Sequence, residues 1–523
     1  MEGVKKNTIK YPIGIQDFRK LREGNYLYVD KTEYVYNIVD KYSYVFLSRP
    51  RRFGKSLLSN TFQCYLEGRK ELFEGLKIMN LEEKWEQHPV LHFDFSKSKY
   101  TSISELNSNL DKQLFMYEQI YGRGEKDVGF NLRLEGLVTR AYKKTGHKVG
   151  LIIDEYDAPM LNALHNNEYL SEVRDIMRNF FSPIKSLDYY LKFTFITGIT
   201  KFAQLSIFSE LNNLSNISML EQYSAICGIS KQELLENFSN PIKEFSSNLG
   251  ITPNELLQKL KDNYDGYHFS EDMTDIYNPF SLISAFGNNK IFPYWFASGT
   301  PTFLVNYIAE HPIDETKLNL MPMVPVENFD VSPEVSKESL PLLYQSGYLT
   351  IKGYNKEYGV YSLGYPNKEV KIGFEKCLLN YYNGNNYTGN NFVLEFAIPL
   401  RNNNIDKALT LMQTYYSSIP YDLQNKEEKH FQTIFYLIFS LLGQYIQSEV
   451  KTAIGRADAV VKTPNSVYVF EMKVDKTAEI ALQQIDDKGY LIPYTTEGKH
   501  LVKVGLNFSS ETRTLQDWIV KEI

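Results

Sequence analysis

Three side chains near the C-terminus carry the spacing of a reactive site. Asp458 closes the run Gly455-Arg456-Ala457-Asp458, and Glu471 and Lys473 lie within Val467-Tyr468-Val469-Phe470-Glu471-Met472-Lys473-Val474. The apolar runs on either side of Lys462-Thr463-Pro464-Asn465-Ser466 read as two strands joined by a tight turn. With the turn centred between Pro464 and Asn465, Asp458 and Glu471 are equally far from it and become cross-strand neighbours. Lys473 shares the sheet face of Glu471, because side chains repeat every second residue. Facing carboxylates repel one another unless a divalent cation lies between them, and Mg²⁺ is the expected ion. Such an ion activates water and stabilises charge on a scissile phosphate, with Lys473 orienting the nucleophile or neutralising the developing charge. Asp458 and Glu471 are therefore the expected metal ligands and, with Lys473, the expected catalytic set. The competing reading is a half-buried salt-bridge pair on an ordinary hairpin. Glu428, at the start of an apolar helix, is a candidate further acid or a plain helix N-terminal acid. Gln484, on the amphipathic segment Ala478 to Gly489, is a candidate partner of the lysine or of a nucleic-acid backbone, or a solvated side chain.

A second constellation lies in the first half. The apolar run Tyr44 to Ser48 leads into Arg49-Pro50-Arg51-Arg52-Phe53-Gly54-Lys55-Ser56 and then a helical pattern. Strand, loop and helix in that order form the setting of a phosphate loop, where backbone N–H groups and a helix N-terminus bind phosphate. Lys55 would contact the outer phosphates, and the Ser56 hydroxyl would ligate Mg²⁺. Arg49 stands where the general pattern has its first glycine, whereas Gly54, at the point of closest approach, is kept. About 100 residues on, Leu151-Ile152-Ile153-Asp154-Glu155 is an apolar strand ending in two acids, one for Mg²⁺ (Asp154) and one to polarise the attacking water (Glu155). Thr197, ending another apolar run, is a candidate sensor of the outer phosphate or simply a strand-end threonine. Arg52 and its neighbour Arg51 are candidates to stabilise phosphate charge, to contact a neighbouring domain or to form a solvated basic turn. The expected nucleotide-binding set is thus Arg49, Arg52, Gly54, Lys55, Ser56, Asp154 and Thr197, with ATP and Mg²⁺ as ligands.

These residues need elements to position them. At 523 residues the chain is too long for one core, and its composition, 43% hydrophobic with 39 Tyr and 32 Phe, supplies ample core material. Short, nearly all-apolar runs at 44–48, 90–95, 149–154 and 191–197 alternate with helical patterns, as in a parallel sheet covered on both faces. From about Asn212 the pattern becomes mainly helical, a hairpin follows at 349–365, and Tyr381 to Asn391 has a linker's Asn/Gly composition. The expected fold is α/β: a P-loop parallel sheet (1–211), a helical lid or adjoining domain (212–380) and a C-terminal α/β domain carrying the acid hairpin (381–523). Phe431 to Ile446 is too short and too polar to cross a bilayer and reads as a buried helix. The N-terminus has no secretory h-region, and Cys64, Cys227 and Cys377 form no metal pattern, so a reducing cytoplasm is expected and no membrane. The net charge of -6 requires that any nucleic acid be held by a local basic groove.

With these residues in hand, the chain resembles the prokaryotic family that joins an AAA-ATPase-like domain to a C-terminal PD-(D/E)XK nuclease domain. The resemblance runs through YPIGIQDF, YVDKT, RPRRFGKS, PVLHFDFS, IIDEYDAP, TGITKF, LNNL, YDGYHF, YNPFS, YWFASGTPTFL, LLYQSGYLT, GRADAVV, VFEMKV and QQIDDKGY. It implies that Arg49 is the family's own form of the loop and that Tyr28 to Thr32 lie near the nucleotide base. It also implies a restriction-endonuclease-like PD-(D/E)XK fold for 381–523, but it supplies no substrate or physiological role. The two sites together point to an ATP-regulated, Mg²⁺-dependent hydrolase of nucleic-acid phosphodiesters with DNA as the expected substrate, a machine that would suit genome defence or mobile-element processing, with a homo-oligomer as a candidate assembly. The alternative is a nucleotide-dependent switch whose C-terminal domain binds nucleic acid without cutting. A damaged acid set would favour the switch, but Asp458, Glu471 and Lys473 are all present.

Overall fold

A computed structural model describes residues 9–523 except 165, 201–212, 298–320, 330–338, 384–387, 420–427, 444, 447–449 and 452–456; side chains are also left undescribed at 388–390, 428, 429, 450 and 451. Its described residues divide into two compact units, those before 298 together with Met321–Val370, and those from Lys371 to Ile523. The division falls within a helix, Lys368–Tyr382, just before the Asn/Gly stretch, much of which lies outside the described residues.

The first unit is built on a five-stranded sheet. Strands β1 (Tyr44–Ser48), β2 (Val90–Asp94), β3 (Val149–Asp154), β4 (Leu191–Gly198) and β5 (Ser215–Asn216) run in the order β2-β3-β4-β1-β5. Every pairing is parallel. β1 and β3 are buried along their whole length, which is why their sequences are almost unbroken apolar runs. Because the strands are parallel, the ends of β1 to β4 share one edge, and the loops that follow them can meet there. Leu91, Phe93, Leu151 and Ile153 join Leu106, Leu110 and Leu114 of the helix Ile103–Tyr121 in one core.

Beyond this sheet, a pair of two-residue strands, β6 (Ile229–Ser230) and β7 (Ile276–Tyr277), accompanies the helices Lys231–Leu249, Pro253–Tyr264 and Pro279–Asn288, which share their own core. A small antiparallel sheet follows, β8 (Met323–Pro325), β9 (Thr350–Asn355) and β10 (Val360–Gly364), with the hairpin expected at 349–365 present as β9 and β10.

The second unit contains a mixed sheet in the order β11 (Val450–Lys451), β12 (Ala459–Lys462), β13 (Ser466–Val474), β14 (His500–Ser509) and β15 (Thr514–Glu522). The helix Glu428–Leu442 precedes it, with Phe431, Ile434, Leu437 and Ile438 buried as expected. β12 and β13 form an antiparallel hairpin. Its loop is closed at both ends, Thr463 N donating to Ser466 O (2.8 Å) and Ser466 N to Thr463 Oγ1 (2.9 Å), so only Pro464 and Asn465 turn the chain. The following pair, β13 with β14, is parallel and needs a crossover, supplied by the helix Ala478–Asp487.

That crossover helix lies hard against β14. A Cβ at Gly505 would come 2.4 Å from the carbonyl oxygen of Ala478 and 3.0 Å from Leu482 Cγ, and Gly505 pairs in register with Glu471. Gly505→Ala therefore forces the helix outward and costs about 1–3 kcal/mol of stability. Denaturant unfolding of the variant checks this, and an unchanged midpoint would show that the helix yields freely.

Candidate functional site

The hairpin register places the three C-terminal residues as the turn predicts. Ala459 pairs with Phe470, Val460 with Val469, Val461 with Tyr468 and Lys462 with Val467, so one step further back Asp458 stands opposite Glu471. Asp458 itself lies just outside β12, and its Oδ2 accepts from Met472 N across the hairpin at 2.7 Å. Lys473 Nζ donates to Glu471 Oε1 at 2.9 Å. Glu471 is 2% exposed, and its second oxygen, Oε2, is buried without a hydrogen-bond partner among the described residues.

An unpartnered carboxylate oxygen in a buried position is costly, and one lysine compensates only one of the two oxygens. The donor set, two facing carboxylates with oxygen ligands only, suits a hard divalent cation. Among the described residues no three acids, histidines or cysteines gather as a complete metal cage. The Glu428 side chain lies outside the described residues, although the helix begins at that residue. Gln484 is half-buried on the crossover helix, and no hydrogen bond joins its side chain to Lys473 among the described residues.

At the sheet edge of the first unit, Gly54 caps the helix Lys55–Leu66 in the left-handed region, at φ 92°, so the loop turns there without a Cβ in the way. Lys55 is 3% exposed, and its Nζ lies 3.0 Å from Glu155 Oε1 and 3.2 Å from Pro50 O. Arg52 and Glu155 both adopt positive φ, 66° and 51°, a strained backbone for non-glycine residues. Both line one cavity of about 140 Å³ together with Gly54, Lys55, Ser56 and Phe280, and the Arg52 guanidinium stacks over the Phe280 ring at 4.8 Å. The segment 12–16 also lines this cavity. An adjoining apolar cavity of about 90 Å³ shares Gly54 and Leu57 and is lined by Tyr28, Val29 and Lys31.

Asp154 is buried beside these groups, and the loss of water, followed by the charge of Glu155, pushes its carboxyl up to about 7. Ser56 opposes this by hydrogen bonding to it. Asp154 also stands in register with Asp94 at the end of β2.

Three residues of the expected set do not line this cavity: Asp154 is buried next to Glu155 and Ser56, and Arg49 and Thr197 are engaged elsewhere. The Arg49 guanidinium is buried and donates to the carbonyls of Ser48 (2.9 Å), Ser218 (2.7 Å) and Tyr223 (3.0 Å). It also stacks over Phe269 at 4.2 Å. Its charge ties the base of the loop to segments some 170 and 220 residues later. Thr197 is equally buried, and its hydroxyl donates to Leu47 O at 2.8 Å, stitching β4 to β1.

Sequence reasoning missed Asp157. Its Oδ2 accepts from Ile199 N (3.0 Å), Thr200 N (2.6 Å) and Thr200 Oγ1 (2.6 Å), holding the loop after β4 against the acid segment. Burial, then the charge of Glu155, pushes its carboxyl up to about 6. Its signal was a third acid at 157 in IIDEYDAP, three residues past Asp154.

A family model described as predicted AAA-ATPase matches residues 12–208, and one for the PD-(D/E)XK nuclease superfamily matches residues 426–518. A protein of Azotobacter chroococcum mcd 1, named only as an uncharacterized protein in the vnfD 5' region, is 34% identical over 532 residues, covering 98% of this chain and 99% of its own length. The chain belongs to the family that joins a predicted AAA-ATPase domain to a PD-(D/E)XK nuclease-superfamily domain. Among the described residues no helix is long and apolar enough to cross a membrane.

Two stability measurements test the first site. Arg49→Met leaves two buried distant carbonyls without their donor and lowers stability by about 2–4 kcal/mol, read by denaturant unfolding. For Asp154 the folded carboxyl sits near 7, above its ordinary 3.8, so the folded state holds the proton more tightly and stability falls as pH rises between those values. In nucleotide-free protein with chelator, Asp154→Asn removes that loss, and its melting temperature should gain on the wild type from pH 5 to pH 8. A constant difference would contradict the assignment.

Proposed function

We propose that this protein is a metal-dependent nuclease, acting on DNA in the first instance, whose cutting is licensed by ATP binding and hydrolysis in its first unit. The observation that carries the reading is the convergence of Asp458, Glu471 and Lys473 with one Glu471 oxygen buried and unpartnered. Asp458 and Glu471 would hold Mg²⁺, which when bound supplies Lewis acidity toward a phosphate and eases deprotonation of water. Lys473, anchored on Glu471, offsets negative charge developing on the scissile phosphate and fixes the approach of the attacking water.

For ATP, Lys55 and the backbone around Gly54 would receive the phosphates, Ser56 and Asp154 would hold the accompanying Mg²⁺, and Arg52 would meet phosphate charge at the rim. Tyr28 and Val29 offer the base an apolar cavity. Glu155 polarises water. Its carboxylate is paired with Lys55 at 3.0 Å, so phosphate binding would compete for the lysine and free Glu155 to act as base. Arg49 and Thr197 act behind this site, holding the loop and strand ends that shape it.

A chain of hydrogen bonds supports licensing. Trp295 Nε1 donates to Arg51 O within the phosphate loop (3.2 Å), and Trp295 N donates to Glu369 Oε1 (2.6 Å). Glu369 lies in the first turn of the helix Lys368–Tyr382, whose later turns belong to the second unit. A machine of this kind suits genome defence or mobile-element processing.

Cleavage of plasmid and linear DNA with Mg²⁺, with and without ATP, tests the reading. Wild type should cut, while Asp458→Ala and Glu471→Gln should lose at least a hundredfold. Lys55→Ala should lose the ATP-dependent part. A wild type that cuts nothing, or an Asp458→Ala that cuts equally well, contradicts the nuclease assignment. For licensing, Trp295→Phe should keep ATP hydrolysis within a few fold yet weaken the ATP dependence of cutting. Unchanged dependence removes that route.

A further inference from the structure

A cleft of about 470 Å³ opens in the first unit between β2 and the helix Ile103–Tyr121, and none of its lining residues belongs to the phosphate-loop cavity. His92 of β2 is among the residues lining it. Its Nδ1 lies 2.8 Å from Gln63 Oε1, and the Gln63 amide is oriented by its own Nε2, which donates to Glu67 Oε1 at 2.8 Å. The oxygen of Gln63 therefore faces the ring, and the imidazole proton sits on Nδ1. His92 Nε2 is left as a bare lone pair, buried and without a hydrogen-bond partner among the described residues. Burial drives the imidazole's pKa down to about 4, so it stays neutral and keeps that lone pair at neutral pH.

The rest of the cleft is cationic. Lys97, Lys99 and Lys112 line it; Lys97 pairs with Asp94 at 3.3 Å, whereas Lys99 and Lys112 have no carboxylate partner among the described residues. Glu105, the acid of the lining, is committed to Thr101 N (2.8 Å) and Thr101 Oγ1 (2.7 Å). Met116 adds an apolar surface and is 60% exposed. A metal ion is a poor fit, because the lysines repel it and the acid is already engaged. An anion without a proton to donate, such as chloride or sulfate, is also a poor fit, because it meets the Nε2 lone pair with repulsion, and a small protonated anion leaves the apolar surface of Met116 uncovered. The cleft calls for a ligand that carries an N–H donor, an apolar face and phosphate charge together.

We propose that this cleft is a second nucleotide-binding site, taking a nucleobase N–H on His92 Nε2, the base face on Met116 and the phosphates on Lys97, Lys99 and Lys112. The volume lies within the range of small-ligand pockets. The same chemistry comes from a free nucleotide or from one unit of a nucleic-acid strand, and neither source depends on whether the C-terminal hairpin cuts.

Photo-crosslinking of the full chain separates the two sources. Lys55→Ala protein in chelator, which silences the phosphate loop and any metal chemistry, is irradiated with 4-thiothymidine monophosphate or with a ten-residue oligothymidylate carrying one 4-thiothymidine. Adducts are then mapped by peptide mass spectrometry. The expected result is an adduct within residues 92–121, reduced at least tenfold by Lys99→Glu/Lys112→Glu and by His92→Phe. Labelling by the monophosphate assigns a free nucleotide, and labelling by the oligomer alone assigns a strand. The lysine changes are on exposed positions and should leave ATP hydrolysis of the Lys55-containing protein unchanged, which checks that the fold is intact. No adduct in that segment with either probe, or an adduct indifferent to the lysine pair, overturns the proposal.

Discussion

Acidic side chains placed close together and out of water destabilise a fold unless countercharge or hydrogen bonds hold them, and both sites of this protein are organised around that constraint. In the first unit Asp154, Glu155 and Asp157 fall within four residues, and the chain meets them with Lys55, Ser56 and the Thr200 backbone and hydroxyl. In the second unit Asp458 and Glu471 face each other across a hairpin, met by Met472 N and Lys473. In each place the compensation is incomplete: Asp154 Oδ1 and Glu471 Oε2 are both buried without a hydrogen-bond partner among the described residues. A divalent cation is the simplest group that relieves both.

The elements around the sites follow from this need. A parallel sheet brings the ends of β1, β3 and β4 to one edge, so that loop, acid segment and the Ile199–Thr200 turn meet without a long excursion of the chain. The backbone strain at Arg52 and Glu155 is confined to the same edge and is supported by Phe280 and Lys55. In the second unit the closed two-residue loop at Pro464 and Asn465 fixes the register, and a slip of one residue would carry the acids to opposite faces. The close approach of the crossover helix at Gly505 pins the strand next to Glu471.

What was legible in the sequence was local. The Asp458 to Glu471 register needs only a turn centre and the two-residue period of a strand, and the pairing obeys both. The phosphate loop, the hairpin at 349–365 and the buried helix after Glu428 likewise come from short-range pattern. What could not be read was the direction of side chains whose partners lie far along the chain. Arg49 looks like a phosphate contact from its position in the loop, yet its guanidinium is claimed by carbonyls at 218 and 223, positions that no local pattern connects to it. Thr197 ends its strand as expected, but the neighbouring β1 backbone takes its hydroxyl. Asp157 was passed over because a third acid two residues after an acid pair does not reveal its partner; its role depends on the loop after β4 returning to it.

The central claim is that Asp458 and Glu471 are held face to face to share a cation. Crystals of the protein grown with Mn²⁺ in place of Mg²⁺ and measured at the manganese absorption edge test it directly. The account predicts an anomalous peak within bonding distance of both carboxylates, lost in Glu471→Gln. A map that shows manganese elsewhere but none between Asp458 and Glu471 would contradict it.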